Sequence, residues 1–168
     1  MAPLVHVITL NWNRRDDTLA FLASAARLAY PSYRTLLVDN GSTDGTLAAA
    51  RDAFPAVEQL PNGANLGFAA GMNAGIRRAL AAGADYVLLA NNDTTLDPGM
   101  LAWLVATAER NGAAITAPAI SYFDQPERIW WLGGRARPLL LEMRPYAAPP
   151  RGQHPFAVDF VTGCAMLI

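Results

Sequence analysis

The chain of 168 residues contains no lysine, one cysteine and two histidines. Without lysine there is no G-x-x-x-x-G-K-[ST] phosphate loop. A single cysteine, Cys164, excludes an internal disulfide and a cysteine-built zinc site. His6 and His154 lie far apart in sequence, which argues against a histidine-built metal site and leaves Ser-His-Asp chemistry without its parts. No uncharged apolar run approaches the roughly 18 residues of a membrane span. The N-terminus has no basic segment of the kind that opens a secretory signal. The net charge of −1 gives no grip on a nucleic-acid backbone, so no nucleic acid is expected as partner. Between Asn11 and Asp17 there is no glycine, so the G-x-G-x-x-G of a dinucleotide fold is missing from the first strand-to-helix turn. No G-x-S-x-G nucleophile elbow occurs. All 13 basic residues are arginine, and with the abundance of alanine and proline this reads as genome composition rather than function.

What is present is globular. The chain is 52% hydrophobic and only 16% charged, which sets aside a disordered segment, and its length fits one domain with a real core. Strand-like and helix-like stretches alternate. Leu4–Leu10, Thr35–Val38, Ala56–Leu60 and Asp85–Ala90 read as strands, and Ala113–Ile120 as a fifth. Arg15–Ala29, Thr46–Ala53 and Gly67–Ala82 read as helices, with Gly83 as a C-terminal stop. Asp97-Pro98 reads as an N-cap followed by proline at the first helical position, opening a helix to Arg110. This βαβαβαβαβ order implies a mostly parallel sheet with helices on both faces. From Ser121 the pattern degrades into an irregular hairpin or loop region, with Pro145–Pro155 as its flexible segment. Val158–Ile168 reads as a strand interrupted at Thr162-Gly163. Trp130 and Trp131 read as packing that region before any role in stacking on a sugar.

Ligands of such sheets bind beyond the carboxyl ends of the strands, and polar clusters stand there: Asn11-Trp12-Asn13, Asp39–Asp44 and Asn91-Asn92-Asp93. A carboxylate flanked by amides suits a hard divalent cation when a diphosphate supplies the remaining ligands; the alternative is a turn leading to Asp97-Pro98. Asp39 can accept from a base imide or a ribose hydroxyl, with Gly41 and Gly45 allowing close backbone approach. Ser42 or Asp44 would cap the next helix. The segment Asn65-Leu66-Gly67 to Gly75 reads either as a helix start open to an anion or as close helix–sheet packing through small residues.

The segments VITLNWNR, LLVDNGSTDGT, NLGFAAGMNAGI, YVLLANND and FVTGCAM resemble, in that order and spacing, the inverting GT-A glycosyltransferases of family 2, in particular bacterial rhamnosyltransferase-like enzymes of cell-surface polysaccharide synthesis. The resemblance covers nearly the whole chain and is weakest over Ser121–Phe156. It implies a GT-A-type, Rossmann-like α/β/α sandwich with a mostly parallel central sheet. Residues 1–120 would form the nucleotide-sugar-binding half, and 121–168 an irregular segment plus a strand of the acceptor half in the same domain. Asn11 would lie beside the nucleotide base and Asp39 would bind base or ribose. Asn65, Gly71 and Asn73 would line the nucleotide and diphosphate loop. Asn91, Asn92 and Asp93 stand at the family's D-x-D position, with Asp93 as the carboxylate for Mg2+ or Mn2+ and diphosphate. Asn91 replaces the first aspartate. Thr162 and Gly163 would line the sugar and acceptor pocket.

The implied activity is transfer of a sugar from a dTDP- or UDP-sugar to a glycan or lipid-linked acceptor with inversion, in the cytoplasm at the inner face of the membrane. The family's catalytic base is an acidic residue downstream of a V-T-G-x-x-M-L-I strand, so it is expected beyond Ile168 and the 168-residue chain is expected to bind donor without transferring sugar. Asp159 precedes Thr162-Gly163 and does not match that base. Two other readings stand beside this one: a non-catalytic nucleotide-sugar-binding domain, and a sugar nucleotidyltransferase on a related fold, which the absence of a glycine-rich loop after the first strand disfavours.

Overall fold

The structure, a computed structural model, describes residues 1–137, 139, 142–150 and 155–168. Its elements are β1 (Val5–Asn11), α1 (Arg15–Ala25), β2 (Tyr33–Asp39), α2 (Thr46–Ala53), β3 (Glu58–Pro61), α3 (Phe68–Ala81), β4 (Tyr86–Ala90), α4 (Met100–Asn111), β5 (Ile120–Ser121), β6 (Ile129–Trp131), β7 (Gly134–Arg137), β8 (Glu142–Pro145) and β9 (Ala165–Leu167). The central sheet has the order β3-β2-β1-β4-β9. Its first four strands are parallel and β9 runs antiparallel to β4.

The inner strands carry buried apolar side chains on both faces because both faces of the sheet are covered. Alternate residues of β1 point to opposite sides. Val5 and Val7 pack with Phe21 and Leu22 of α1, Ala50 of α2 and Leu101 of α4. Ile8, with Leu36 and Val38 of β2, packs beneath Met72 and Ala79 of α3. α3 lies close to the sheet because it carries glycine at the contact. A Cβ on Gly75 would come within 2.7 Å of Val38 Cγ2 and 2.8 Å of Ile8 Cγ2. The helix–sheet packing reading of these glycines is therefore the one the fold uses.

Topology sets the position of the crevice. From β1 the chain steps outward to β2 and β3 with α1 and α2 on one face, then returns beneath α3 on the other face to β4, on the far side of β1. The strand order reverses between β1 and β4, and the crevice opens beyond their carboxyl ends.

Four expectations are corrected. The predicted fifth parallel strand, Ala113–Ile120, is reduced to Ile120–Ser121, which pairs with β6, and to a single bridge from Thr116 to Leu167. The edge of β4 is occupied by β9, and Pro118 has no N–H to give a ladder. The first helix stops at Ala25 rather than Ala29. The N–H groups of Arg27 and Leu28 turn back to Ser24 and Ala25 carbonyls at 3.0 and 3.1 Å, the tighter bonding that closes a helix end. Asp97-Pro98 forms a turn ahead of α4 rather than its cap: Asp97 Oδ1 accepts the Gly99 N–H at 2.8 Å and the helix begins at Met100. Of the strand predicted over Val158–Ile168, Ala165–Leu167 pairs with β4, while Phe160 bridges to Gly134.

The irregular region contains two short antiparallel pairs, β5 with β6 and β7 with β8. Trp131 packs there against Phe160, ring centroids 5.8 Å apart, and Trp130 is half-exposed beside it. Of the segment predicted to be flexible, residues 151–154, His154 among them, lie outside the described residues. Among the described residues no helix is long and apolar enough to cross a membrane.

His6 of β1 is fully buried, 0% exposed, and neither ring nitrogen has a hydrogen-bond partner among the described residues. Burial, then the Arg34 guanidinium on β2 and Arg78 on α3, hold its pKa below the ordinary value; Glu58 on β3, ion-paired with Arg78, opposes them. The unfolded chain therefore takes up a proton near pH 6.5 that the folded chain refuses. Stability is expected to be level above that pH and to fall as pH drops below it, by at most about 1.4 kcal/mol per pH unit, until the folded-state pKa is reached. Urea denaturation at pH 8 and pH 5.5 checks this: His6→Leu removes this histidine's share of the acid-side loss and is at least as stable as the wild type at pH 8.

Candidate functional site

The rim is built by strand register. β1 and β2 end side by side, Asn11 against Asp39, and Asp39 stands against Pro61 of β3. Asn11 and Asp39 are 0% and 1% exposed. Buried polar groups must be bonded or they cost stability, and Asn11 is saturated. Its amide nitrogen donates to Asp39 Oδ2 and to Ser42 Oγ, both at 2.9 Å. Its amide oxygen accepts the Thr18 hydroxyl at 2.8 Å and the Arg14 N–H at 3.2 Å. Asn92 Nδ2 approaches the same oxygen at 3.4 Å. The first rim loop is thus tied to the second and to the loop after β4.

The second loop folds about Asp39 and Asn40. Asp39 Oδ1 accepts the Ser42 N–H at 2.8 Å, closing the turn over Gly41. Gly41 has φ +75°, and a Cβ there would lie 2.9 Å from Ala64 Cα, so neither the turn nor the approach of the third loop tolerates a side chain. Asn40 Nδ2 donates to the Gly67 carbonyl at 3.1 Å and to Asn65 Oδ1 at 3.3 Å, and its Oδ1 accepts Asn62 Nδ2 at 2.8 Å. Asn65 Oδ1 also takes the Gly67 N–H at 2.9 Å, just ahead of α3. Gly71 is buried under this cluster, where a Cβ would meet Asn40 Oδ1 at 2.8 Å. Asn65 and Gly71 therefore join the rim through Asn40, whereas Asn73 stands exposed on α3 with no side-chain hydrogen bond among the described residues. Asp44 rather than Ser42 organises the entry to α2. Its Oδ1 accepts the Thr46 N–H at 3.0 Å and hydroxyl at 2.6 Å, and its Oδ2 accepts the Arg15 N–H at 3.0 Å. Burial works to raise the Asp44 carboxyl, and these bonds outweigh it, so its pKa lies below the ordinary value.

Beyond β4, the Asn91 N–H bonds the Cys164 carbonyl at 2.9 Å and the Thr94 hydroxyl bonds the Asn91 carbonyl at 2.7 Å. Asn92 Nδ2 donates to the Thr18 hydroxyl at 2.9 Å. Asp93 is exposed and makes no hydrogen bond or ion pair among the described residues. Pairing of β9 with β4 brings Thr162, Gly163 and Cys164 next to this loop. The Thr162 hydroxyl accepts the Cys164 N–H at 3.3 Å, and Gly163 faces open space where a side chain would stand. Burial, with the Asp93 charge added, pushes the Cys164 thiol pKa up.

The donor set bears on a cation. The described residues hold no group of three His, Cys, Asp or Glu that could form a metal cage. Asp93 offers one unpaired carboxylate, which fits Mg2+ or Mn2+ when a diphosphate and water complete the shell. A separate cavity of about 580 Å³, lined largely by apolar side chains including Ile115, Leu132, Val158 and Val161, receives none of these rim residues.

The sequence gives no individual role to Thr18 or Asn62, and it marks Trp12 and Asn40 only as members of the Asn11-Trp12-Asn13 and Asp39–Asp44 clusters. Asn40 and Asn62 stand inside polar turn clusters, and Thr18 is one of two buried hydroxyls, with Ser24, on the core side of α1. Trp12 follows Asn11 directly and is 55% exposed at the rim.

Sheet order, switch point and rim together define a protein of the GT-A glycosyltransferase fold. The chain matches Glycosyl transferase family 2 over residues 6–168, and it belongs to that family. It is 35% identical over 118 residues to the N-acetylglucosaminyl-diphospho-decaprenol L-rhamnosyltransferase of Mycobacterium tuberculosis, covering 66% of this chain and 38% of that protein. It is 34% identical over 123 residues to galactofuranosyltransferase GlfT1 of the same organism, covering 70% and 40%. The chain thus spans about two fifths of the length of the curated relatives it matches. Among solved structures it is similar to the mannosyltransferase PcManGT from Pyrobaculum calidifontis in complex with GDP-Man and Mn2+, with TM-score 0.65 and 22% identity over 73% of this chain and 36% of that one.

Replacing Asn11 by aspartate would set a second buried carboxylate against Asp39 Oδ2. Two like charges at that distance cannot both ionise, so one must hold a proton. Asn11→Asp is expected to lose about 3 kcal/mol of stability at pH 7.5 and to regain part of it at pH 5. Chemical denaturation at the two pH values measures both; a pH-independent deficit would contradict the assignment of the Asn11–Asp39 bond.

Proposed function

We propose that the chain is the donor-binding part of an inverting glycosyltransferase that moves a sugar from a dTDP- or UDP-sugar to a glycan or lipid-linked acceptor, in the cytoplasm at the inner face of the membrane. The observation that carries this reading is the convergence, at the switch point between β1 and β4, of a saturated polar frame around one unpaired carboxylate, Asp93. The names of the relatives support it: one is a rhamnosyltransferase named for a decaprenol-linked amino sugar, another a galactofuranosyltransferase, and a solved structure of the same fold holds a nucleotide sugar with Mn2+.

Residue roles follow from what is free and what is committed. Asp39 has acceptor capacity beyond its two bonds and would take a donor from the base or ribose. Trp12 offers an exposed flat face beside it. The unbonded N–H groups at the start of α3, entered through Asn65 and Gly67, favour an anion such as the diphosphate. Asn11, Gly71 and Asn92 hold the loops in place, with Asn73 on the α3 surface and Asn91 at the foot of the Asp93 loop. Thr162 and Gly163 would border the sugar. Asp93 would hold a divalent cation, which supplies positive charge to the departing diphosphate when bound. The acceptor hydroxyl would attack the anomeric carbon in line and lose its proton to a base. Asp159, which precedes Thr162-Gly163 and does not match the family's base, uses its Oδ2 to accept the Ala136 N–H at 2.9 Å on β7.

Calorimetry with UDP and dTDP tests the reading. Mn2+ or Mg2+ is expected to raise nucleoside diphosphate affinity about tenfold or more, about 1.4 kcal/mol, and Asp93→Asn to abolish the gain. Uridine and thymidine should show no cation dependence. Affinity that is unchanged by EDTA removes the cation from the reading; no binding of any nucleoside diphosphate overturns the reading itself.

A further inference from the structure

We propose that Thr18 of α1 is a positioning residue that couples the nucleotide loop to the cation loop through its hydroxyl. The inference rests on the reading above in one respect, that Asp93 holds the cation.

Thr18 is fully buried, 0% exposed, on α1, whose other buried residues are Phe21, Leu22, Ser24 and Ala25; the Ser24 hydroxyl bonds back to the Phe21 carbonyl of its own helix. Threonine is a weak helix former, and inside a helix its hydroxyl commonly bonds back to the preceding turn. Here it reaches across to two other elements. It donates to Asn11 Oδ1 at 2.8 Å and accepts from Asn92 Nδ2 at 2.9 Å. Asn11 continues the path to Asp39 Oδ2 at 2.9 Å. Asp39, Asn11, Thr18 and Asn92 form one unbroken line of hydrogen bonds from the end of β2 to the residue preceding Asp93.

That line matters because Asp93 has no partner among the described residues. Its direction is set by the backbone on either side. The bonds made by Asn91 and Thr94 anchor the loop to β9 and to itself. The side-chain bonds of Asn92 are the ones that anchor it to the nucleotide side, and the shorter of the two goes to Thr18. Removing the Thr18 hydroxyl while keeping its shape leaves Asn92 with the 3.4 Å approach to Asn11, longer than a normal hydrogen bond. Asp93 would then lose part of its fixed direction toward a cation on the diphosphate, while Asp39 keeps its bonds to Asn11 and Ser42.

The test uses the 168-residue chain, UDP, uridine and MnCl2. UDP affinity is measured by calorimetry in Mn2+ and in EDTA for wild type, Thr18→Val, Thr18→Ser, Asn92→Ala and the Thr18→Val/Asn92→Ala double variant. Thr18→Val should reduce the Mn2+-dependent gain roughly three- to tenfold, the scale of one hydrogen bond, with uridine affinity and UDP affinity in EDTA within about twofold of wild type. Thr18→Ser should keep the gain. Because the hydroxyl acts through Asn92, the double variant should lose no more than either single variant, a non-additivity that a generally loosened helix would not give. A full gain in Thr18→Val, equal losses in Thr18→Val and Thr18→Ser, or additive losses in the double variant each overturn the proposal. If Thr18→Val does not fold, Asn92→Ala decides, since its side chain lies in a loop: a retained gain overturns the coupling and a lost gain supports it. A wild type with no Mn2+-dependent gain fails at the earlier step, the cation reading, and is recognised as such before any variant is compared.

Discussion

One primary amide, that of Asn11, holds the carboxyl end of this sheet together. It sits at the end of the middle strand, out of water, with every donor and acceptor engaged. An amide in that position cannot give up a bond without leaving a buried polar atom unpaired, at a cost of about 1–3 kcal/mol. Ser42 and Asp39 on one side, Thr18 and Asn92 on the other, are therefore fixed relative to a common point. The loops after β1, β2 and β4 behave as one body although they come from distant parts of the sequence. Asn40 repeats the device one strand further out, joining the second loop to the third through Gly67, Asn65 and Asn62.

The frame depends in turn on how closely α3 lies on the sheet. Gly75 meets Ile8 and Val38, and Gly71 meets Leu10 and Asn40, at distances that leave no room for a Cβ. The first contact belongs to the core and the second to the rim, one helical turn apart on the same face. A single glycine spacing thus serves packing and brings the start of α3 against the second loop. The shape of the rim and helix–sheet packing are here the same constraint.

The parallel half of the fold was legible because its strands are buried on both faces and its helices carry clear stops. Leu4–Leu10 against the observed Val5–Asn11, and Asp85–Ala90 against Tyr86–Ala90, differ only at their ends. What escaped was non-local. Nothing within Ala113–Ile120 reveals that the place beside β4 is taken by a strand that arrives some forty-five residues later. The rim was legible as three polar clusters but not as a network. Asn11 and Asn92 could be picked out by position, yet whether an amide faces a ligand or its neighbours depends on register and on α1. Thr18 gave no signal beyond being a hydroxyl in an apolar stripe.

The division between committed and uncommitted groups gives the rim its chemical sense. Asn11, Asn40 and Asp44 spend their hydrogen bonds on neighbouring side chains and backbone of the rim loops, and so shape the crevice. Asp93 spends none, although it follows a residue that is bonded on the inner side. It is a lone carboxylate whose loop is held by its neighbours, and among the described residues no arginine pairs with it. The nearby Cys164 thiol, whose pKa is raised by burial and by that charge, registers the same imbalance from the other side of the β4–β9 pair.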